Sequence, residues 1–489
     1  MTTIASPHSK SERPSNILLL VVCLAQFMVI LDVAIVNVAL PSMHDGLHFS
    51  TTGLQWVVNA YTLTFAGFLM LGGRAADLLG RRRVLVVGVA LFALSSLACS
   101  LADSPGLLLA ARALQGLAGA VVSPATLSII TSTFPEGAER NRGLGAWAAM
   151  GGLGASSGAL LGGILTQAFG WPAIFAINVP LGALVIALSL RVIPARCDER
   201  DASAVRHFDV AGATLVTAGL SAVTYGIVRT DTLGWGSTGV LVPLVAGLAL
   251  VAAFLFVEAR VATAPLVPLS IFRLPELRAA NLIVMLLYGA LFSMWFFMTL
   301  FLQQVLHDDA LQAGVSFVPM TLSVFAGSTQ TPRLVARFGL RTVLAGGMLL
   351  STAGMALLTG IAPGQSYFSV VLPGGVLASL GMGVSLVSGT ILATKGVARA
   401  QAGLASGLLN TSRLVGGALG LAILSTLAAG HTKGQGALVD PLHALTNGFS
   451  LAFAVGAIVC LTGAVAAVVL LRPRTQRVLA PEIVRDLAA

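Results

Sequence analysis

The chain has 489 residues, of which 56% are hydrophobic and only 10% charged, where a soluble domain carries about 25% charged residues. That composition excludes an ordinary soluble enzyme or binding module and makes the chain an integral membrane protein. The net charge of +9 says nothing about nucleic acid until the placement of the basic residues is known.

A helix that crosses a bilayer needs about 20 mostly apolar residues. In chain order such runs lie at roughly 17–40, 53–73, 84–102, 106–131, 143–167 and 173–193, then roughly 210–228 and 239–257. Six more follow at roughly 280–302, 312–331, 342–361, 367–393, 402–429 and 449–471. The runs are too long for strands and lack period-two alternation. The expected fold class is an all-α integral membrane protein with fourteen transmembrane helices.

With the N-terminus in the cytoplasm, 24 of the 28 Lys and Arg residues fall on inner segments, from Lys10 and Arg13 to Arg477 and Arg485. Outer loops hold only Arg229 and Lys433, while Arg112 and Arg413 stand inside spans. This asymmetry predicts a multi-pass protein of the inner (plasma) membrane with both termini cytoplasmic. It also explains the basic charge without a nucleic-acid partner. The first run is too long for a cleaved signal peptide and lacks a small-residue cleavage site. Cys23, Cys99 and Cys460 lie in spans and Cys197 in a loop, so neither a disulfide framework nor a metal site is expected. No nucleotide loop and no large soluble segment is present, so no catalytic residue is assigned.

The loops after the second and tenth runs read "GGRAADLLGRRRV" and "TPRLVARFGLRTV". Aligning Gly80 with Gly339 also pairs Arg74 with Arg333, Arg82 with Arg341 and Val84 with Val343. Both loops fall on the cytoplasmic side, which is the mark of a parallel repeat. The expected organisation is a tail (1–16), a six-helix bundle (17–193), loops with two extra helices (194–278), a second pseudo-symmetric six-helix bundle (279–471) and a tail (472–489).

Several stretches resemble the fourteen-span drug:proton antiporters of the major facilitator superfamily. "LDVAIVNVALP" and "LQWVVNAYTL" resemble the first two spans of that family, and "RALQGLAGAVVSPATLSII" the fourth. "GGRAADLLGRRRV" is similar to the family loop G-x-L-A-D-R-x-G-R-R, "FDVAGATLVTAGL" to the first extra span, and "GLLNTSRLVGGALG" to the thirteenth. The resemblance implies a 6+2+6 fold, alternating access and multidrug efflux, with no cofactor beyond a proton gradient. Three positions depart from the pattern: Leu78 and Pro172 stand where Arg is usual, and Ala159 where Pro is usual. The last two keep open a facilitator or importer without proton exchange.

Asp32 interrupts an apolar run, at a cost of roughly 2.5–3.5 kcal/mol on insertion scales. It lies about 13 Å of helix from the outer end of its span, and Arg112 about 9 Å from the same side in its own. The pair is a candidate for proton coupling, because burial favours the neutral acid while a cation favours the carboxylate. A static ion pair is the plainer alternative. In the family loop, Gly73, Asp77, Gly80, Arg81 and Arg82 correspond to a conformational latch, alongside the simpler possibility of solvated surface charge. Arg413, with Asn410 beside it, suits an anionic group, a tie between the halves, or a structural hydrogen bond. Tyr288 and Trp295 in the Met- and aromatic-rich ninth run, with Gln26, Trp56, Asn59, Tyr61 and Gln115, are the substrate-cavity candidates. Lipid-facing aromatics read the same way. The expected function is proton-coupled export of small amphipathic, cationic or neutral compounds by a single chain in the bilayer. A dedicated exporter of a self-made metabolite or antibiotic is the nearest rival.

Overall fold

The computed structural model describes residues 16–134, 138–193, 210–261, 269–395, 397, 402–435 and 439–471. A helix runs through each of the apolar runs, as hydrocarbon requires of a backbone that must satisfy its own hydrogen bonds. The first group is α1 (Asn16–Leu47), α2 (Thr51–Leu79), α3 (Arg81–Ser100), α4 (Pro105–Thr133), α5 (Ala138–Phe169), the short α6 (Ala173–Ala176) and α7 (Asn178–Val192). An intervening hairpin consists of α8 (Val210–Leu233) and α9 (Thr238–Phe256). The second group is α10 (Pro275–Leu300), α11 (Ala310–Ser316), α12 (Val318–Phe338), α13 (Leu340–Leu358), α14 (Leu372–Thr394), α15 (Ala402–Gly434) and α16 (Pro441–Leu470). Among the described residues, 12 helical segments are long and apolar enough to cross a membrane.

Local chemistry sets the ends. The Ser50 hydroxyl accepts from the Gly53 amide at 2.9 Å to start α2. Asp309 and Gln312 form a reciprocal capping box at α11. Asp440 caps α16, accepting from the amides of Leu442 and His443 at 3.1 and 3.2 Å. Hydrogen bonds from His443 hold the Asp440 carboxyl below the usual carboxylate range.

The two related loops are built alike. Gly80 joins α2 to α3 at φ +99° and Gly339 joins α12 to α13 at φ +79°, a region that L side chains avoid. The Arg82 guanidinium donates to the Leu190 carbonyl of α7 at 2.7 Å. The Arg341 guanidinium donates to the Val468 carbonyl of α16, also at 2.7 Å. Each group of helices thus ties its third long helix to its last in the same way.

Packing places the core unevenly. One apolar cluster holds the first part of α1 (Leu18 to Val29) with Tyr61, Phe65, Phe92 and Ile130, all within the first group. The other joins the second part of α1 (Ile35 to Leu47), Val57 and Phe175 to Phe297, Phe301, Phe317 and Phe453 of the second group. The two groups are therefore fused at the end where α1 meets α2. Three hydrogen bonds reinforce that end. Gln303 donates to the Val38 carbonyl at 2.8 Å, Gln167 to Asp309 at 3.2 Å, and the Ser425 hydroxyl to Gln55 at 2.6 Å.

The glycine-rich stretch of α5 packs on α1. A Cβ on Gly158 would stand 2.5 Å from the Ala34 Cβ, so only glycine permits this approach. The α8–α9 hairpin lies against both groups. Tyr225 rests on Trp56 of α2 with ring centroids 6.3 Å apart, and Thr426 of α15 donates to the Ile227 carbonyl at 3.3 Å.

Candidate functional site

Five helices of the first group converge on Asp32. Arg112 and Gln115 are three residues apart on one face of α4, as are Ser96 and Cys99 on α3. Asn178 is the first residue of α7, immediately after Ile177, which links it to α6. The Ile177 backbone is itself helical, at φ −59° and ψ −29°, so α6 runs on into α7 and Asn178 meets α1 from that continuous turn.

The contacts form a closed network. Arg112 Nη1 donates to Asp32 Oδ2 at 2.6 Å, with the two side chains 1% and 0% exposed. Asp32 Oδ1 accepts from Gln115 Nε2 at 2.7 Å and from Asn178 Nδ2 at 2.9 Å. Arg112 also donates to Gln115 Oε1 at 2.7 Å and, through Nε, to the Val57 carbonyl at 3.0 Å. Its guanidinium lies 4.4 Å from the Tyr61 ring centroid and 5.6 Å from that of Phe175. Gln115 donates to Ser96 Oγ at 2.7 Å and accepts from the Cys99 thiol at 3.7 Å. A buried charge pair is tolerated when hydrogen bonds meet its other lone pairs and protons; here Asp32 accepts three and Arg112 donates three, while Asn178 Oδ1 is buried without a partner among the described residues. A proton arriving on Asp32 would cancel one charge and leave Arg112 as an uncompensated cation in the bundle.

The sequence pointed to Asp32 and Arg112, and the fold brings them into contact. Gln115, read as a cavity residue, sits inside the ion-pair network. Gln26, Asn59 and Tyr61 are buried in the first group, and Gln26 Oε1, both polar atoms of Asn59 and the Tyr61 hydroxyl lack hydrogen-bond partners among the described residues. Trp56 faces the α8–α9 hairpin. In the second group Tyr288 lies under Arg413, with 5.2 Å from guanidinium carbon to ring centroid. Asn410 is half-buried one turn earlier on α15. Trp295 stacks on Phe317 at 5.0 Å, away from Arg413's ring partner.

Of the loop residues, Gly73 packs near Pro124, Arg81 donates to Ser128 at 2.7 Å, and Arg82 holds Leu190. Both of these partners belong to the first group. The side chains of Asp77, Leu78 and Ala159 lie outside the described residues. The backbone of α5 is helical through position 159.

Sequence reasoning missed Asn178, Ser96, Cys99 and Phe175. Asn178 carried a signal, as the one amide in the apolar run "AIFAINVPLG". Ser96 and Cys99 carried none, since small polar residues are common in packed membrane helices.

The chain matches the Major Facilitator Superfamily over residues 22–421. It belongs to that family. It is 42% identical over 431 residues to the cephamycin export protein CmcT of Amycolatopsis lactamdurans, covering 87% of each chain. It is 40% identical over 470 residues to the puromycin resistance protein pur8 of Streptomyces alboniger, covering 94% of this chain and 92% of that one. The multidrug resistance protein Stp of Mycobacterium tuberculosis is 34% identical over 418 residues, covering 86% and 76%. Among solved structures, the nucleoside transporter NupG shares the fold at TM-score 0.62 and 15% identity, covering 93% of this chain and 99% of that one. So does a bacterial homologue of the lysosomal transporter Spinster in an inward-facing conformation, at TM-score 0.62 and 17% identity, covering 93% and 96%. As a member of this superfamily the chain is a multi-pass membrane transporter rather than an enzyme.

Proposed function

We propose that this chain is a proton-driven exporter of small amphipathic drugs or antibiotics, working by alternating access in the plasma membrane. The observation that carries the reading is the enclosed Asp32–Arg112 pair within the first helix group of a major facilitator fold. A titratable carboxylate buried with a cation is the element a proton relay needs. The export and resistance functions named for relatives at 34–42% identity support efflux as the direction.

The topology in this proposal is fourteen spans arranged 6+2+6, with both termini cytoplasmic. The matched Arg82–Leu190 and Arg341–Val468 ties support the pseudo-symmetry, and the basic-residue asymmetry supports the orientation. In that orientation the fused end is the outer one, so the described conformation faces inward. One chain supplies both bundles and the path between them, which supports a monomer as the working unit. The driving force is the proton gradient alone.

The expected substrates are cationic or neutral, with an ionised Asp32 as the attraction for a cation. In this conformation Arg112 already neutralises that carboxylate, so neutral amphipaths fit the inward-facing state better than cations do. The unbroken α5 at Ala159 favours one second reading, a facilitator without proton exchange. Purified protein in vesicles with an imposed pH gradient, given a panel of drugs, tests both. Uphill drug movement that follows the gradient and is lost in Asp32→Asn supports the exporter. Movement that ignores the gradient in the wild type overturns it. A single accepted compound in that panel would mark a dedicated exporter.

A further inference from the structure

Asp32 and Arg112 cancel each other, and Arg413 has no such company. It is not within ion-pairing reach of any described carboxylate. Its one described interaction is with the Tyr288 ring at 5.2 Å. Its Nε is buried without a hydrogen-bond partner. Arg112, the same residue type in the other bundle, meets Asp32, Gln115 and the Val57 carbonyl as well as two rings. A guanidinium has five donors in a planar fork, and a desolvated donor left unmet is costly, more so when charged. Among the described residues, this cation has no hydrogen-bond acceptor.

Position decides what acceptor suits it. Arg413 lies 12 residues before Ser425 on α15, about 18 Å of helix from the Gln55–Ser425 contact of the fused end. It is therefore on the open side of the seal. Its neighbour Leu414 packs on the apolar cluster of the first bundle, so this turn of α15 borders the seam between bundles. Arg413 is only half-buried, which leaves part of its fork reachable. Asn410, one turn earlier on the same face, adds an amide. Ser412 does not compete, because its hydroxyl is committed to Asn281 Oδ1 at 2.8 Å.

We infer that Arg413, with Asn410 and the Tyr288 ring, is a subsite for the carboxylate of an amphipathic organic acid entering from the open side. A guanidinium fork matches a carboxylate bidentately, and the low dielectric of the seam strengthens the pair. The inference rests on the exporter reading for its direction but not for its binding event.

The test is equilibrium binding of 1-naphthaleneacetate and its neutral amide, 1-naphthaleneacetamide, to the detergent-purified full chain. Wild type should bind the acid at least tenfold more tightly than the amide. Arg413→Gln should bring the two within about twofold, and Arg413→Lys should keep part of the preference because it retains charge without the fork. Equal binding of acid and amide by the wild type, no binding of either, or a preference that survives Arg413→Gln overturns the subsite. If Arg413→Gln fails to fold, the wild-type ratio and its reduction in Arg413→Lys decide in its place. An acid preference without pH-driven efflux of any drug keeps the subsite and removes the exporter. Efflux without acid preference does the reverse.

Discussion

Breaking the buried pair should cost more than removing it. Arg112→Gln leaves the Asp32 carboxylate fully enclosed with only the amide donors of Gln115 and Asn178. Asp32→Asn leaves the Arg112 cation with the Val57 carbonyl, Gln115 and two rings. Orphaning one member of a buried ion pair costs about 3–5 kcal/mol, so independent losses would sum to about 6–10 kcal/mol. The double variant carries no net charge and keeps hydrogen-bonding amides of similar size at both positions. Its loss should be about 1–3 kcal/mol, the scale of imperfectly matched buried hydrogen bonds. The coupling energy is then at least about 3 kcal/mol. Unfolding in mixed detergent micelles with rising dodecyl sulfate measures all four corners of the cycle. Vesicle efflux adds the functional readout: Asp32→Asn and the double variant should both lose pH-driven transport, though the double variant is well folded. A double variant as unstable as the sum of the singles would refute the pair as an energetic unit. One that still pumped would refute it as the coupling element.

Asn178→Leu should destabilise by roughly 1.5–3 kcal/mol, because it strips a donor from a buried carboxylate; an unchanged unfolding midpoint would show that the amide contributes nothing. Gly80→Ala and Gly339→Ala should each cost about 1–3 kcal/mol through the forced positive φ, and a silent effect at either would break the equivalence of the two loops. Asp77→Asn should slow the transport cycle while leaving drug affinity nearly intact; a large loss of equilibrium binding would end the latch assignment. Single cysteines at Asp45, Asp231 and His431 should react with impermeant reagents from outside, and labelling only from the cytoplasm would invert the proposed topology.

Much of the fold was legible because hydrocarbon imposes one rule on every segment. The run drawn at roughly 106–131 became Pro105–Thr133, with Pro105 at its first turn. Helix ends were less clear where a polar cap lies outside the apolar run, as with Asp440, which starts α16 well before the residues that looked apolar. Asp32 and Arg112 stood out because charge is rare in such helices, and their similar depths made them a candidate pair. The rest of the site was hidden for two reasons. Asn178 reaches Asp32 from the first turn of α7, and the apolar pattern of "IFAINVP" does not say which face of that turn meets α1. Trp56 resembled a cavity aromatic, yet its face is set by α8, a helix far away in sequence whose docking position the pattern of residues does not encode.

The placement of the α8–α9 hairpin has a consequence for traffic. A compound dissolved in the bilayer reaches a transporter's interior sideways, through whichever gap between bundles faces lipid. Here α8 lies across the gap beside α2 and α15, with Tyr225 and Ile227 spanning its two walls. Lipid-borne molecules are therefore turned away on that flank.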